Sequence, residues 1–129
     1  VVIAAPEGLG PDAGILELAR QDAESTGAIL TVVQDPAEAV QGADILYTDV
    51  WASMGQEENA AEKEALFKDY QINQQLLQQA KPDAIVLHCL PAKRGKEITD
   101  EVMDGPQSRV FDEAENRLHA HKAIMTVLM

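Results

Sequence analysis

Five short apolar runs punctuate the chain, at residues 1–5, 28–33, 44–48, 83–87 and 108–111. The first four are rich in valine, isoleucine and leucine, and Lys81-Pro82 sets off the fourth. Runs of that length without strict alternation predict strands buried on both faces, as in parallel sheets. Between them the period changes. Ile15, Leu16, Leu18, Ala19 and Ala23 form a helical stripe, with Pro11 suited to the first helical position and Gly27 as its stop. Asp35 is placed to cap a short helix that Pro36 opens, with Glu38 at the capping-box position and Gly42 as its end.

The later connections follow the same rule. Residues 56–70 are charged and alanine-rich, which predicts a helix. Asn73 is placed to cap residues 74–80, burying Leu76, Leu77 and Ala80. Residues 98–103 read as a short helix closed by Gly105-Pro106, and Asp112 with Glu115 reads as the capping box of a last helix. Strands alternating with helices predict an α/β fold: a Rossmann-like, doubly wound parallel sheet of four to five strands, with helices on both faces.

The length of 129 residues suits one domain spanning 1–129. The first strand starts at Val1 without a preceding turn, and the last helix grows more apolar toward Met129 without a stop signal. The domain is therefore expected to be truncated at its N-terminal edge and at its C-terminus. No run reaches the length of a membrane span, and the start lacks the basic flank of a signal peptide. The single cysteine forms no internal disulfide, so a reducing cytoplasm is the expected location.

The net charge of −12 is uneven: residues 1–62 carry twelve acidic groups and one basic group, Arg20, whereas residues 63–129 carry ten and nine. With no basic stripe to neutralise phosphates, nucleic acid is not an expected partner. Lys93, Arg94 and Lys96 form a local cluster only.

Candidate chemistry gathers in two loops that follow strands, where open α/β sheets bind ligands. The loop at 49–55 offers the Asp49 carboxylate, the Ser53 hydroxyl and backbone N–H groups near Met54-Gly55. An amino acid presents the amine and carboxylate that such groups hold. Asp49 equally suits a turn cap, and Trp51 suits packing. The loop at 88–95 brings His88, Cys89, Lys93 and Arg94 together. Cationic neighbours lower a thiol pKa, although a lone cysteine is more often inert. His88 suits a structural hydrogen bond. His119 and His121 point apart on a helix, and neither zinc-type spacing nor a phosphate-binding glycine motif is present.

Three segments carry a family resemblance: Asp49-Val50-Trp51-Ala52-Ser53-Met54-Gly55-Gln56-Glu57; His88-Cys89-Leu90-Pro91-Ala92 followed by Arg94-Gly95 and Glu97; and Ala114-Glu115-Asn116-Arg117-Leu118-His119-Ala120. In that order they resemble the ornithine loop, the H-C-L-P-A motif and the closing helix of ornithine carbamoyltransferases. The likeness spans essentially the whole chain. It implies transfer of a carbamoyl group from carbamoyl phosphate to the δ-amine of ornithine, giving citrulline and phosphate, with no metal or organic cofactor and a homotrimeric assembly.

By the same resemblance, Asp49 binds the ornithine α-amine, and Ser53 and Met54 help hold the amino-acid end. Cys89 sits near the reacting nitrogen and the carbamoyl group. The Leu90 carbonyl accepts from the carbamoyl –NH2, and Arg117 stabilises the carbamoyl oxygen or the departing phosphate. The family's N-terminal domain, with its Ser-Thr-Arg-Thr-Arg loop and His-Pro-x-Gln motif, has no counterpart here. The chain is thus expected to be inactive alone.

Three other readings fit parts of the pattern. A receiver domain would share the βα alternation and Asp49, but only Glu7 stands where its acidic pair belongs. A non-catalytic binding or scaffold fragment would keep the fold and bind ornithine without turnover. A carbamoyltransferase for another amine would differ in the Ser53-Met54-Gly55 loop.

Overall fold

A computed structural model of the chain describes residues 1–52 and 60–129. Ser53 and Met54, both expected at the ornithine end, lie outside the described residues. Strands β1 (Val2–Ala4) and β2 (Thr31–Val33) pair in parallel, with Val2 opposite Thr31. Strands β3 (Ile45–Thr48) and β4 (Ile85–His88) pair in parallel, from Ile45 opposite Ile85 to Thr48 opposite His88. The helices are α1 (Ala13–Thr26), α2 (Pro36–Val40), α3 (Ala60–Phe67), α4 (Gln74–Leu77), α5 (Asp100–Met103) and α6 (Val110–Leu128). A 3-10 turn, Lys68–Tyr70, extends α3. This is the Rossmann-like α/β alternation, with the strands among the described residues arranged as two hydrogen-bonded pairs.

Local chemistry explains most boundaries. The Asp35 carboxylate accepts from the Ala37 N–H, and the Asn73 side chain accepts from the Leu76 N–H. Gly27 ends α1 in the left-handed conformation, with φ +74°. The start of α1 differs from expectation. Asp12 is the cap, accepting from the Gly14 and Ile15 N–H groups at 2.9 and 3.0 Å, so Pro11 precedes the helix instead of opening it. Gly105 follows α5 where the chain turns so closely that a Cβ would meet the Glu101 carbonyl oxygen at 2.7 Å, so only glycine fits without a shift.

The expected fifth strand is not formed. Ser108 makes a single parallel bridge to Val86, with Val86 N–H donating to the Gln107 carbonyl and Arg109 N–H donating to the Val86 carbonyl. Val110 and Phe111 then form the first turn of α6. A short apolar run does not distinguish a strand from the buried first turn of a helix, and here the helix wins. Asp112 is consequently not the cap. It lies with Glu113 in the first helical turn, where negative charge suits the helix dipole.

The core joins Leu46, Leu76, Leu77, Val86, Ile98, Val102, Met103 and Val110. Leu46 and Val86 are register partners on one sheet face. On the other face Ile45 and Tyr47 are exposed, so these strands are buried more asymmetrically than their apolar runs imply. The stripe on α1 is also open, with Ile15 and Leu18 65% and 59% exposed. No helix among the described residues is long and apolar enough to cross a membrane.

Candidate functional site

The parallel register of β3 and β4 places Thr48 beside His88, so the chain leaves both strands at the same sheet edge. Asp49 and Cys89 are the next residues. The carboxylate oxygen of Asp49, a ring nitrogen of His88 and Sγ of Cys89 all lie within 4.8 Å of one another. Asp49 Oδ1 accepts from the Val50 N–H at 2.7 Å, and the same carboxylate lies beside the Cys89 thiol and raises its pKa. The turn-capping and site-forming readings of Asp49 therefore coexist. Trp51 packs, stacked on Phe67 at 6.2 Å, while Phe67 meets Tyr70 edge-on at 5.5 Å. The Tyr70 hydroxyl donates to the Gln34 carbonyl. This aromatic row ties the loop after β3 to the far end of α3.

The loop after β4 is held from inside. His88 and Glu97 are both fully buried, with Nε2 of the imidazole 3.0 Å from Glu97 Oε1. His88 Nδ1 accepts from the Leu90 N–H at 2.9 Å. An acceptor at Nδ1 requires the proton on Nε2, which donates to Glu97. Glu97 Oε1 also accepts from the Lys93 N–H, closing the loop. Both ring nitrogens are thus engaged, and His88 acts as a brace, not as a ligand. Leu90 adopts φ +56°, a conformation costly for a branched side chain, and the Leu90–Pro91 peptide is cis. Gln71 donates to the carbonyls of Gly95 and Lys96, pinning the far side of the loop.

Cys89 departs from the sequence expectation. Its thiol pKa is raised, first by desolvation and then by Asp49, while Tyr47 opposes the shift. The basic residues expected to lower it are committed elsewhere. Arg94 forks onto Asp104 at 2.6 and 2.8 Å and reaches Asp100 at 2.8 Å. Lys93 Nζ points to the Ala52 carbonyl at 3.5 Å, and Lys96 pairs with Glu64. Of the 93–96 cluster, Lys93 reaches the loop after β3, Arg94 is tied to α5 and the residue after it, and Lys96 is tied to α3. The Tyr47 phenol, more than half exposed yet lying beside Cys89 and Glu113, is pushed up to about 12 by partial desolvation and by those two groups.

Cys89, Leu90, Ala92, Phe111, Ala114 and Arg117 line one groove between this loop and α6. Because α6 begins at Val110, Arg117 stands two turns in and not at the dipole's positive end. The structure therefore brings Asp49, Cys89, Leu90 and Arg117 to one edge. Three residues that build this edge received no role from the sequence: Tyr47, Glu97 and Glu113. Glu97 stood inside a recognised motif, but nothing in the residue spacing pointed to its pairing with His88. Glu113 carried no signal, because the expected cap at Asp112 displaced the helix start.

The chain matches the family model described as aspartate/ornithine carbamoyltransferase, Asp/Orn binding domain, over residues 1–128. It is 53% identical over 129 residues to an ornithine carbamoyltransferase of Thermococcus kodakarensis, covering 100% of this chain and 41% of the relative. A relative of the same name from Gloeobacter violaceus is 57% identical over 129 residues, again with 41% of its length covered. Among solved structures, the ornithine carbamoyltransferase of Pyrococcus furiosus superposes with a TM-score of 0.90 at 51% identity, covering 97% of this chain and 40% of that one. The anabolic ornithine carbamoyltransferase of Campylobacter jejuni gives 0.93 at 36% identity, covering 99% and 42%. The chain thus spans about two fifths of the length of the relatives it matches.

Proposed function

We propose, from the premise that this chain belongs to the aspartate/ornithine carbamoyltransferase family as its Asp/Orn binding domain, that it forms the ornithine side of an ornithine carbamoyltransferase. The observation that carries the reading is the convergence of Asp49, Cys89, Leu90 and Arg117 at one sheet edge. Relatives bearing that enzyme's name support the choice of ornithine.

In this reading the ornithine δ-nitrogen bonds to the carbamoyl carbon, the bond from that carbon to the phosphate oxygen breaks, and the nitrogen loses a proton. The Asp49 carboxylate, already fixed by the Val50 N–H, pairs with the α-ammonium. Ser53 and Met54 complete the amino-acid end. Leu90, held by His88, offers its carbonyl to the carbamoyl –NH2. Arg117 offers a planar fork to the carbamoyl oxygen or the leaving phosphate. Cys89 borders the reacting nitrogen. The reaction needs no covalent attack by the protein, and the desolvation and Asp49 that raise the thiol pKa fit a neutral contact there. Aligning two substrates supplies much of the rate that positioned donors do not, worth ~7–11 kcal/mol in comparable systems.

The phosphate end of carbamoyl phosphate needs several donors. Here Arg94 and Lys96 are spent on carboxylates and Lys93 on a carbonyl, so those donors come from a further domain. The functional unit is a cytoplasmic homotrimer of the longer protein, by analogy with the family. The test follows citrulline with saturating ornithine and carbamoyl phosphate. The 129-residue chain alone is expected to be inactive. A chimera in which it replaces the matching 41% of the Gloeobacter violaceus relative is expected to be active. Turnover by the chain alone, or none by a folded chimera, contradicts the reading.

A further inference from the structure

Helix α6 is tied to the sheet by little apart from its first turn. Val110 is its one buried residue, and the helix packs on β4. The polar half of that tie is Glu113, which is half-buried. Its Oε2 accepts the His88 backbone N–H at 3.0 Å, at the last residue of β4. The same carboxylate faces the Tyr47 phenol of the neighbouring strand. A side chain thus serves as the acceptor at the sheet end, and it ties the first turn of α6 to the end of β4.

Arg117 lies four residues further along the helix, on the same face as Glu113. It enters the groove that Cys89 and Leu90 line. His88 serves both sides of this arrangement: its N–H holds Glu113 and its Nδ1 holds the Leu90 N–H. One residue therefore registers the arginine of α6 against the carbonyl of Leu90. The geometry points to Glu113 as a positioning residue for carbamoyl transfer, acting through Arg117. This inference rests on the ornithine carbamoyltransferase reading above.

The consequence is a loss of kcat with little change in ornithine affinity, because the amino-acid end is held by the loop after β3. In the chimera, Glu113→Ala is expected to lower kcat about tenfold or more and to leave the ornithine KM within about threefold. Glu113→Gln keeps an oxygen for the His88 N–H and is expected to retain kcat within about twofold. Glu113→Asp keeps the charge but shortens the arm, and it is expected to behave like Glu113→Ala. In an Arg117→Ala background, Glu113→Ala should add nothing, since residues acting as one unit are not additive. Additive losses, or equal losses for Glu113→Ala and Glu113→Gln, would overturn the proposal.

An inactive native chimera would count against the functional reading instead. The clamp is then judged in the 129-residue chain by hydrogen exchange of the His88 amide. Exchange is expected to quicken about tenfold in Glu113→Ala and to stay unchanged in Glu113→Gln. Equal exchange in all three would overturn the clamp itself.

Discussion

The Asp49 carboxylate and the Cys89 thiol lie within 4.8 Å of each other, each at the first residue beyond one of two paired parallel strands. The carboxylate favours the protonated thiol, because a thiolate beside it would be repelled. Asp49→Asn is therefore expected to lower the Cys89 pKa and to speed alkylation severalfold at pH 7.5, with convergence of the two rates at high pH. Rate constants for a neutral thiol reagent across pH 6–10 decide this. An unchanged or slower reaction would mean that the pair does not communicate.

Arg117→Lys keeps the charge and loses the planar fork. In the chimera it is expected to lower kcat clearly more than it raises the ornithine KM, and Arg117→Ala is expected to cost about 10²-fold in kcat. Steady-state kinetics with both substrates varied provide the check. Small, equal changes in both parameters would leave Arg117 a surface residue.

Glu97 is fully buried and accepts from both the His88 ring and the Lys93 amide. Glu97→Ala strands both donors without water, at a cost of about 1–3 kcal/mol for each. Urea denaturation of the 129-residue chain should show a loss of about 2–6 kcal/mol, or failure to fold. A midpoint close to that of the native chain would show that the brace contributes nothing.

Asp104 is held below the usual carboxylate range, first by its hydrogen bond to Arg94 and then by the guanidinium charge. A carboxylate whose folded pKa is depressed stabilises the fold above its unfolded pKa, about 3.9, and loses that contribution as pH falls through the folded value. Asp104→Asn should therefore be less stable than the native chain at pH 6, with the gap closing below about pH 4. Thermal melts at both pH values test this; a gap that is constant or widens on acidification contradicts it.

The alternation of strands and helices was legible where a helix start carries its own cap, as at Asp35 and Asn73; α5 and α6 start without a side-chain cap. The fifth strand was misread because Val110 and Phe111 look the same in a strand as in a helix's first turn, and the error hid Glu113. Within the site, the Asp49 and Cys89 loops were legible because both follow strands directly. What was not legible is where long side chains reach. Lys93, Arg94 and Lys96 are adjacent in sequence, yet they diverge to Ala52, Asp104 and Glu64, so the expected cationic setting of Cys89 is absent. The pairing of His88 with Glu97 depends on a loop fold that residue spacing does not encode.

The family description covers both aspartate and ornithine domains, so the choice of amine is the point on which the account turns. The chimera is supplied with carbamoyl phosphate and, in separate reactions, ornithine, N-acetylornithine or aspartate, and the carbamoylated products are quantified by mass spectrometry. The expected result is citrulline as the dominant product, lost in Asp49→Ala. Carbamoyl-aspartate or acetylcitrulline as the dominant product, or citrulline formation indifferent to Asp49→Ala, would contradict the assignment of this sheet edge to ornithine.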